Sequence, residues 1–276
     1  MTLTLITGAT SGIGRETARG LLAKGHEVVI ACRDTGKGET VARELAAATG
    51  NDRVSVMACD LASLASVRAF AEAFRARHDR LDVLINNAGG ANVERRTSVD
   101  GYELTFATNH LGPFLLTNLL LDTVRAAPAG RIVTVASDAH YRGRIDFQDL
   151  QHEQRYQVFQ AYCDSKLANV LFALKLARML VGSRATSNAL HPGAVATNIW
   201  PGDNAFWAAA SRVLKLFLVS EEKGARPSLM LATDPRLKDV NGRYYSKLRE
   251  RTPSAAARDT DLQDALWRVS AGLAGL

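Results

Sequence analysis

Tyr162 and Lys166 have complementary acid–base chemistry and lie four residues apart in the stretch YCDSK. In a helix, side chains at this spacing project from the same face. A free tyrosine has a pKa of about 10, and a neighbouring ammonium stabilises the phenolate, which draws that pKa toward neutral pH. The spacing therefore predicts a phenol acting as general acid or base beside a cation, at the start of an amphipathic helix.

Ser137 and Asn109 supply two further polar groups for such a site. Ser137 follows a predicted strand at residues 131–136, where its hydroxyl can hold a substrate oxygen. Asn109 lies inside a predicted helix at residues 102–124, where its amide can anchor a water in a proton relay. Either residue alone is an ordinary strand-end serine or helical asparagine, so the set of four carries the prediction.

A glycine-rich turn, TGATSGIG at residues 7–14, follows the first predicted strand and opens the first predicted helix. Its glycines, Gly8, Gly12 and Gly14, permit a tight turn and let a pyrophosphate approach backbone N–H groups at a helix N-terminus, where the dipole favours negative charge. This position between a strand and a helix predicts a dinucleotide site.

The second predicted strand ends near Arg33, where such folds contact the adenosine ribose. Arg33 offers a cation to a 2′-phosphate, so the sequence favours NADP(H) over NAD(H). Arg33 as a solvated loop residue remains an alternative, and the neighbouring Asp34 keeps NAD(H) open. Asp60 and Leu61, after the third strand, are expected beside the adenine, and the run at residues 86–89 is expected to line the cofactor.

Short apolar runs alternate with longer stretches of helical period, which is typical of a parallel sheet with crossover helices. We predict a single α/β domain over residues 1–276, a Rossmann-type, doubly wound parallel sheet of about seven strands flanked by helices. The predicted strands are residues 2–7, 27–31, 54–58, 83–86, 131–136, 186–190 and 242–245. The predicted helices are residues 13–24, 36–48, 64–77, 102–124, 162–180 and 223–232.

The net charge of +6 comes from scattered basic residues, which indicates a solvated basic surface rather than a nucleic-acid interface.

Three cysteines, Cys32, Cys59 and Cys163, lack the spacing of a metal site or a disulfide framework, so we expect no bound metal and a reducing, cytoplasmic setting. The apolar run at residues 3–6 begins directly after Met1, so neither a signal peptide nor a membrane span is expected.

Seven ordered motifs carry a family resemblance over residues 2–276. They are TGATSGIG at 7–14, ACRD at 31–34, NNAG at 86–89, TNHLG at 108–112, RIVTVAS at 131–137, AYCDSKLANVLF at 161–172 and HPGAVATN at 191–198. With them the chain resembles the short-chain dehydrogenase/reductase superfamily and, within it, the retinol dehydrogenase-like group.

The resemblance implies hydride transfer coupled to proton transfer. Tyr162 would exchange the substrate proton, Lys166 would bind the nicotinamide ribose and lower the Tyr162 pKa, Ser137 would orient the carbonyl oxygen, and Asn109 would complete the relay. The implied cofactor contacts are Gly8, Thr10, Ser11, Gly12, Ile13, Gly14, Arg33, Asp60, Leu61, Asn87, Ala88, Gly89, Tyr162, Lys166, Pro192, Gly193 and Thr197.

Two segments depart from the common pattern of the superfamily. Residues 140–160 form an insertion that is expected to cover a helix face used for oligomerisation, which leaves monomer and homodimer open. Residues 205–219 are apolar and amphipathic, and we expect a substrate lid at residues 198–222 over a lipophilic pocket with Trp200, Phe206 and Trp207. A packed surface helix or a peripheral membrane contact remains an alternative.

The leading hypothesis is an NADP(H)-dependent oxidoreductase acting on the carbonyl or alcohol of an apolar small molecule. Reduction of a conjugated double bond is a second enzymatic hypothesis. A non-catalytic, NADP-binding regulatory or scaffold protein is the third, and the complete set of four catalytic candidates argues against it.

Overall fold

Buried strands alternating with helices build the fold in this computed structural model, which describes residues 1–193 and 220–276. The described strands are β1 (Leu3–Thr7), β2 (Glu27–Cys32), β3 (Val54–Ala58), β4 (Val83–Asn86), β5 (Arg131–Val135), β6 (Thr186–His191), β7 (Tyr244–Ser246) and β8 (Arg249–Arg251). They form one sheet in the order β3-β2-β1-β4-β5-β6-β7-β8. All neighbouring pairs from β3 to β7 are parallel, and β8 pairs antiparallel with β7.

The chain reverses its direction of strand addition between β1 and β4, which are hydrogen-bonded neighbours. In a doubly wound sheet, this switch point leaves a crevice beyond the carboxyl ends of the strands. The polar and glycine-rich segments that follow β1 and β4 meet at this crevice. The predicted doubly wound α/β fold is confirmed, and its topology places the site.

Side chains alternate across the sheet, so each central strand contributes to both faces of the core. On β1, Leu5 packs into a cluster with Phe70 and Phe114, while Ile6 packs into the opposite cluster with Leu21. All five residues of β1 are buried. This burial on both faces explains why the central strands are nearly continuous apolar runs rather than alternating ones.

Helices cover both faces of the sheet. They are α1 (Gly12–Ala23), α2 (Thr35–Thr49), α3 (Leu64–Arg75), α4 (Leu104–Phe106), a π-helix (Ala107–Leu111), α5 (Gly112–Leu119), α6 (Leu121–Arg125), a 3-10 helix (Asp138–Arg142), α7 (Val158–Met179), α8 (Glu221–Thr233), a second 3-10 helix (Pro235–Leu237), α9 (Ala255–Arg258) and α10 (Thr260–Ala274). Among the helices of residues 1–193 and 220–276, none is long and apolar enough to cross a bilayer.

Local capping chemistry sets several of the helix boundaries. Asp34 accepts a hydrogen bond from the Lys37 N–H at the start of α2, and Ser63 does the same for Ser66 at the start of α3. Gly50, with φ +67°, ends α2 in the left-handed conformation. The predicted boundaries of α1 to α3 agree with the structure to within two residues.

Four sequence predictions about the elements need correction. Within the described residues the sheet has eight strands rather than about seven, because the sequence of the short hairpin strand β8 carries no apolar pattern. The predicted helix at residues 102–124 is divided into α4, the π-helix, α5 and α6. The helix predicted from residue 162 begins at Val158 and is buried on most sides rather than amphipathic. The C-terminal helices α9 and α10 were not predicted.

The insertion and the C-terminal helix both pack on α7. The backbone N–H of Arg144 donates to the Asp164 carboxylate at 2.7 Å, and the Gln160 amide donates to the same oxygen at 2.6 Å. Farther along α7, the Trp267 ring of α10 stacks on Phe172, with centroids 5.9 Å apart. The outer face of α7 is therefore shared between the insertion and α10, and the oligomeric state stays a prediction.

Candidate active site

A cavity of about 540 Å³ lies at the carboxyl ends of the strands, within the size range of small-molecule sites. Sixteen of the predicted site residues line it: Gly8, Thr10, Ser11, Gly12, Ile13, Gly14, Arg33, Asp60, Leu61, Asn87, Ala88, Gly89, Asn109, Tyr162, Lys166 and Pro192. The glycine-rich turn, the end of β2 and the Tyr162–Lys166 pair therefore border one continuous space.

Two glycines of the turn after β1 are required by the neighbouring turn after β4. A Cβ on Gly8, which has φ +68°, would lie 2.8 Å from the Ala88 Cα. A Cβ on Gly14 would lie 2.3 Å from the Gly8 carbonyl oxygen and 2.4 Å from the Asn87 amide nitrogen. The same Asn87 nitrogen donates to the carbonyls of Thr7 and Gly8. Small residues at these positions thus let the two turns meet beneath the cavity.

The N-terminus of α1 has the features of an anion site. Its first turn carries no acidic side chain, and Ser11, the N-cap residue, makes no side-chain capping hydrogen bond within the described structure. Helix N-terminal N–H groups that no side chain satisfies attract an anion, and the helix dipole adds to that attraction. Since Gly12 and Ile13 line the cavity there, the residues present fit the pyrophosphate of a dinucleotide.

The two charged residues after β2 have different roles. The Asp34 carboxylate is engaged in capping α2. Arg33 is exposed and lines the cavity, and within residues 1–193 and 220–276 its side chain makes no hydrogen bond or ion pair. The cation is thus the group at this end that is available to a ligand, whereas the carboxylate already has a structural partner.

Tyr162 and Lys166 project from the same side of α7, and both are buried. The Lys166 Nζ donates to the Val135 carbonyl at 3.1 Å and lies 5.6 Å from the Tyr162 ring centroid. Burial lowers the pKa of Lys166 to about 8, because the charged ammonium is poorly solvated. Lys166 is therefore a weakened cation at the base of the cavity.

The expected lowering of the Tyr162 pKa is not the net result. Burial of the phenol raises its pKa, and the hydrogen bond from the Ser137 side chain opposes that rise. The phenolate form is favoured by the hydrogen bond but disfavoured by desolvation. Tyr162 is consequently set up to remain a protonated donor, and Ser137 contributes more to its electrostatics than the sequence indicated.

Ser137 lies two residues beyond β5, as the N-cap of the 3-10 helix. Its Oγ accepts a hydrogen bond from the Ala139 N–H at 3.2 Å, which leaves the hydroxyl hydrogen to be donated to Tyr162. The serine and the phenol therefore form one hydrogen-bonded unit, on which a substrate oxygen can be held.

Asn109 lies in the π-helix, a local irregularity that is frequent at functional sites. Its amide oxygen accepts from the Gly90 N–H at 2.8 Å, and its amide nitrogen donates to the Gly90 carbonyl and to the Ser165 Oγ. The side chain joins the turn after β4 to α7. The anchoring of a water by this amide stays a prediction.

The remaining site predictions have different outcomes. Ser137 and Gly193 are not among the cavity-lining residues, and Gly193 follows Pro192 with φ +104°. Thr197, Trp200, Phe206 and Trp207 lie outside the described residues, as does most of the predicted lid at residues 198–222.

Twelve lining residues were not among the predicted site residues: Ala31, Cys32, Cys59, Gly90, Ala91, Asn92, Leu104, Thr105, Thr108, Val135, Ala136 and Glu221. Several of them are immediate neighbours of predicted residues. Five of the twelve, Ala31, Cys32, Thr108, Val135 and Ala136, lie inside the quoted motifs, and extending the run at residues 86–89 by three positions would have added Gly90, Ala91 and Asn92.

Comparisons with known proteins agree with this geometry. A family model described as short chain dehydrogenase matches residues 2–206. Human retinol dehydrogenase 13 is 42% identical over 278 residues, which covers 99% of this chain and 84% of that protein. A solved structure of a putative uncharacterized protein from Mycobacterium paratuberculosis is 37% identical with a TM-score of 0.82 and covers 100% of this chain and 94% of its own. A Pseudomonas aeruginosa RhlG/NADP active-site complex is 26% identical with a TM-score of 0.69, covering 89% and 94%.

Proposed function

Because this chain belongs to the short-chain dehydrogenase family, we propose that it is an NADP(H)-dependent oxidoreductase acting on the carbonyl or alcohol group of a lipophilic small molecule. The observation that carries the proposal is the single cavity that joins the glycine-rich turn and Arg33 to Tyr162 and Lys166. A dinucleotide and a proton donor for its substrate can therefore occupy the same space.

The bound nicotinamide supplies the hydride in reduction and accepts it in oxidation. In reduction, Tyr162 donates its phenolic proton to the carbonyl oxygen as negative charge develops there. When the substrate binds, Ser137 turns its one hydroxyl hydrogen from Tyr162 to that oxygen, so that both hydroxyls donate to it. Preorganised donors of this kind stabilise the developing charge without reorganisation during the reaction.

Lys166 and Asn109 hold the backbone segments around the site in place. Lys166 donates to the Val135 carbonyl beside the cavity and lies over the Tyr162 ring, and its ammonium would bind the ribose of the cofactor. Asn109 holds Gly90 against Ser165 of α7. Together they fix the distance between the cofactor-binding turns and the proton donor, and such orientation contributes much of the rate enhancement in two-reactant catalysis.

Preference for NADP(H) over NAD(H) is supported by the arrangement after β2. Arg33 is exposed at the cavity, whereas Asp34 is engaged at the N-terminus of α2. A guanidinium recognises a 2′-phosphate through charge-assisted hydrogen bonds. The similar RhlG protein was solved as an active-site complex with NADP, which supports the same cofactor here.

The class of substrate is supported by relatives named retinol dehydrogenases, whose name refers to a lipophilic alcohol. We propose a lipophilic carbonyl or alcohol without assigning a retinoid.

The cytoplasm is the proposed location, because the three cysteines are buried and unpaired, as is usual in a reducing compartment.

A substrate panel tests the function directly. The purified protein is incubated with aldehydes, ketones, quinones and enones, and oxidation of NADPH and NADH is followed by absorbance. We expect turnover with aldehydes or ketones and faster turnover with NADPH. When the cofactor carries deuterium on the carbon that donates the hydride, the deuterium must then appear on the carbinol carbon of the product. Deuterium on the β-carbon of an enone product would replace the proposal with double-bond reduction, and no turnover with any class would favour a non-catalytic role.

A further inference from the structure

Asp138, the residue after Ser137, hydrogen-bonds through its carboxylate to β7 and lies near the end of β6. Its Oδ1 accepts a hydrogen bond from the Tyr244 hydroxyl at 2.7 Å, and its Oδ2 accepts one from the Ser246 hydroxyl at 3.1 Å. The same Oδ2 lies 3.6 Å from the His191 Nε2 at the end of β6. Tyr244 and Ser246 are two residues apart on β7 and so face the same side of the sheet. The carboxylate thus connects the segment after β5 to β7 and reaches the end of β6.

The Tyr244 hydroxyl is almost completely shielded from solvent, whereas the Asp138 side chain is partly exposed. Tyr244 is 1% exposed, so its hydroxyl depends on the carboxylate as acceptor. The Asp138 side chain is 44% exposed, so water solvates part of its charge. The interaction is therefore suited to fixing geometry, and substitution of the carboxylate is compatible with a folded protein.

His140 holds the other side of the same segment. Its backbone N–H and its Nδ1 both bond to the Ser137 carbonyl, at 3.0 and 2.8 Å. Its Nε2 accepts from the backbone N–H of Ser254 at 3.2 Å. The two ring contacts require a neutral imidazole protonated on Nδ1. Ser137 is consequently tied by its carbonyl to the segment that follows β8.

The Ser137 hydroxyl itself bonds within its own segment and to Tyr162. Its orientation therefore depends on how the segment at residues 137–142 is held against the sheet. Asp138 supplies the side-chain hydrogen bonds between this segment and β7, and the rings of His140 and Tyr141 pack against Tyr244 beside them. The neighbouring His191 directly precedes Pro192, which lines the cavity.

We propose that Asp138 is a positioning residue, which aims the Ser137 hydroxyl at Tyr162 by bonding the segment after β5 to β7. The proposal rests on the proposed function, in which Ser137 and Tyr162 hold the substrate oxygen. Asp138 itself touches neither cofactor nor substrate in this mechanism. Its removal should reduce turnover more than it reduces cofactor affinity.

Three variants separate positioning from general stability. Asp138→Ala removes every contact of the carboxylate, and Asp138→Asn keeps one acceptor oxygen for Tyr244. Asp146→Ala is the matched control, since Asp146 is an exposed carboxylate of the nearby insertion that accepts from the Gln148 N–H. Amide hydrogen exchange, NADPH affinity, and kcat and KM with the best carbonyl substrate of the panel are measured for each.

We expect Asp138→Ala to lower kcat by about 10- to 100-fold, the effect of misplacing a substrate-orienting group by an ångström or less. NADPH affinity should stay within about twofold of wild type. Asp138→Asn should recover part of the lost kcat, and Asp146→Ala should match wild type. Exchange at the Ala139 and His140 amides should accelerate in Asp138→Ala alone.

Unchanged exchange and unchanged kcat in Asp138→Ala would overturn the proposal. Equal losses of kcat and NADPH affinity with faster exchange throughout the protein would also overturn it, since they indicate general destabilisation. A wild-type protein with no turnover would refute the proposed function, whereas the exchange measurement would still decide whether Asp138 fixes the Ser137 segment.

Discussion

The Nζ of Lys166 lies 5.6 Å from the centre of the Tyr162 ring and is held by the Val135 carbonyl at the end of β5. Both groups are buried, and burial moves their pKa values in opposite directions, down to about 8 for Lys166 and upward for Tyr162. At neutral pH the phenol is therefore a protonated donor. Lys166 is mostly protonated at that pH but loses its charge within a small rise in pH.

Lys166 rather than Tyr162 should limit carbonyl reduction at alkaline pH. The ammonium is present below its pKa of about 8 and is lost as the pH rises through that value, whereas the raised pKa of Tyr162 keeps the phenol protonated there. We expect kcat/KM to fall by up to about tenfold per pH unit above pH 8. Steady-state kinetics at intervals of about one pH unit between pH 6 and 10 would measure this alkaline decrease in kcat/KM.

The matched variant for this profile is Lys166→Arg, because a guanidinium stays charged throughout that range. The alkaline limb should move to higher pH in the variant. If the limb keeps its position in an active Lys166→Arg protein, another group is responsible and the assignment to Lys166 fails.

Arg33 should determine the preference between NADPH and NADH. Arg33→Ala removes the exposed guanidinium at the cavity, and we expect NADPH to bind about 10- to 100-fold more weakly, the loss of one or two charge-assisted hydrogen bonds. NADH affinity should change by less than about threefold. Isothermal titration with each cofactor measures both values.

Arg43→Ala provides the control, because Arg43 is an exposed arginine of α2 whose side chain contacts Thr40 rather than the cavity. It should bind both cofactors like the wild type. Equal affinity for NADPH and NADH in the wild type, unchanged by Arg33→Ala, is the result that would disprove the cofactor preference.

His110 should make the folded protein less stable at acidic pH. It is buried between Phe106 and Phe114, bonds to the Ser270 hydroxyl at 2.8 Å, and has a pKa lowered to about 4 by burial. The unfolded chain takes up a proton at about pH 6.5 and the folded protein only near pH 4. The free energy of unfolding should therefore decrease from pH 6.5 to pH 4, by about 3 kcal/mol from this residue.

Urea unfolding at pH 7 and pH 4.5 measures that decrease. In the double variant His110→Phe/Ser270→Ala, which removes the titrating ring together with its hydroxyl partner, the loss between these pH values should be smaller by about 2 to 3 kcal/mol. Ser270→Ala alone keeps the histidine and should retain the full loss. Identical pH dependence in all three proteins would show that His110 does not control acid stability.

Much of the site was predictable because its residues lie where sequence patterns change. Gly8 and Gly14 follow an apolar strand, and the Tyr162–Lys166 spacing matches one turn of helix. Sixteen residues predicted from such patterns therefore line one cavity. These features are local, so the sequence alone contains the physical reason for each.

Long-range partners could not be predicted in the same way. Asp138 and Tyr244 are 106 positions apart in the chain, and the pairings of β5 with β6 and of β6 with β7 bring them together. The π-helix around Asn109 depends on packing against α7 rather than on residue preference. Strand β8 follows a turn in which Lys247 and Leu248 both have positive φ. Lysine and leucine rarely adopt this conformation, so their presence does not predict the turn.

In the proposed mechanism Tyr162 donates the substrate proton, whereas the binding of NADPH in the cavity does not depend on its hydroxyl. The most direct measurement compares wild type with Tyr162→Phe for two quantities, the dissociation constant of NADPH and the rate of NADPH oxidation with the best carbonyl substrate. We predict a dissociation constant within about twofold and a rate lower by about 10²- to 10⁴-fold, the usual contribution of a general acid. A Tyr162→Phe protein that reduces the carbonyl at the wild-type rate would contradict the proposed proton-donor role.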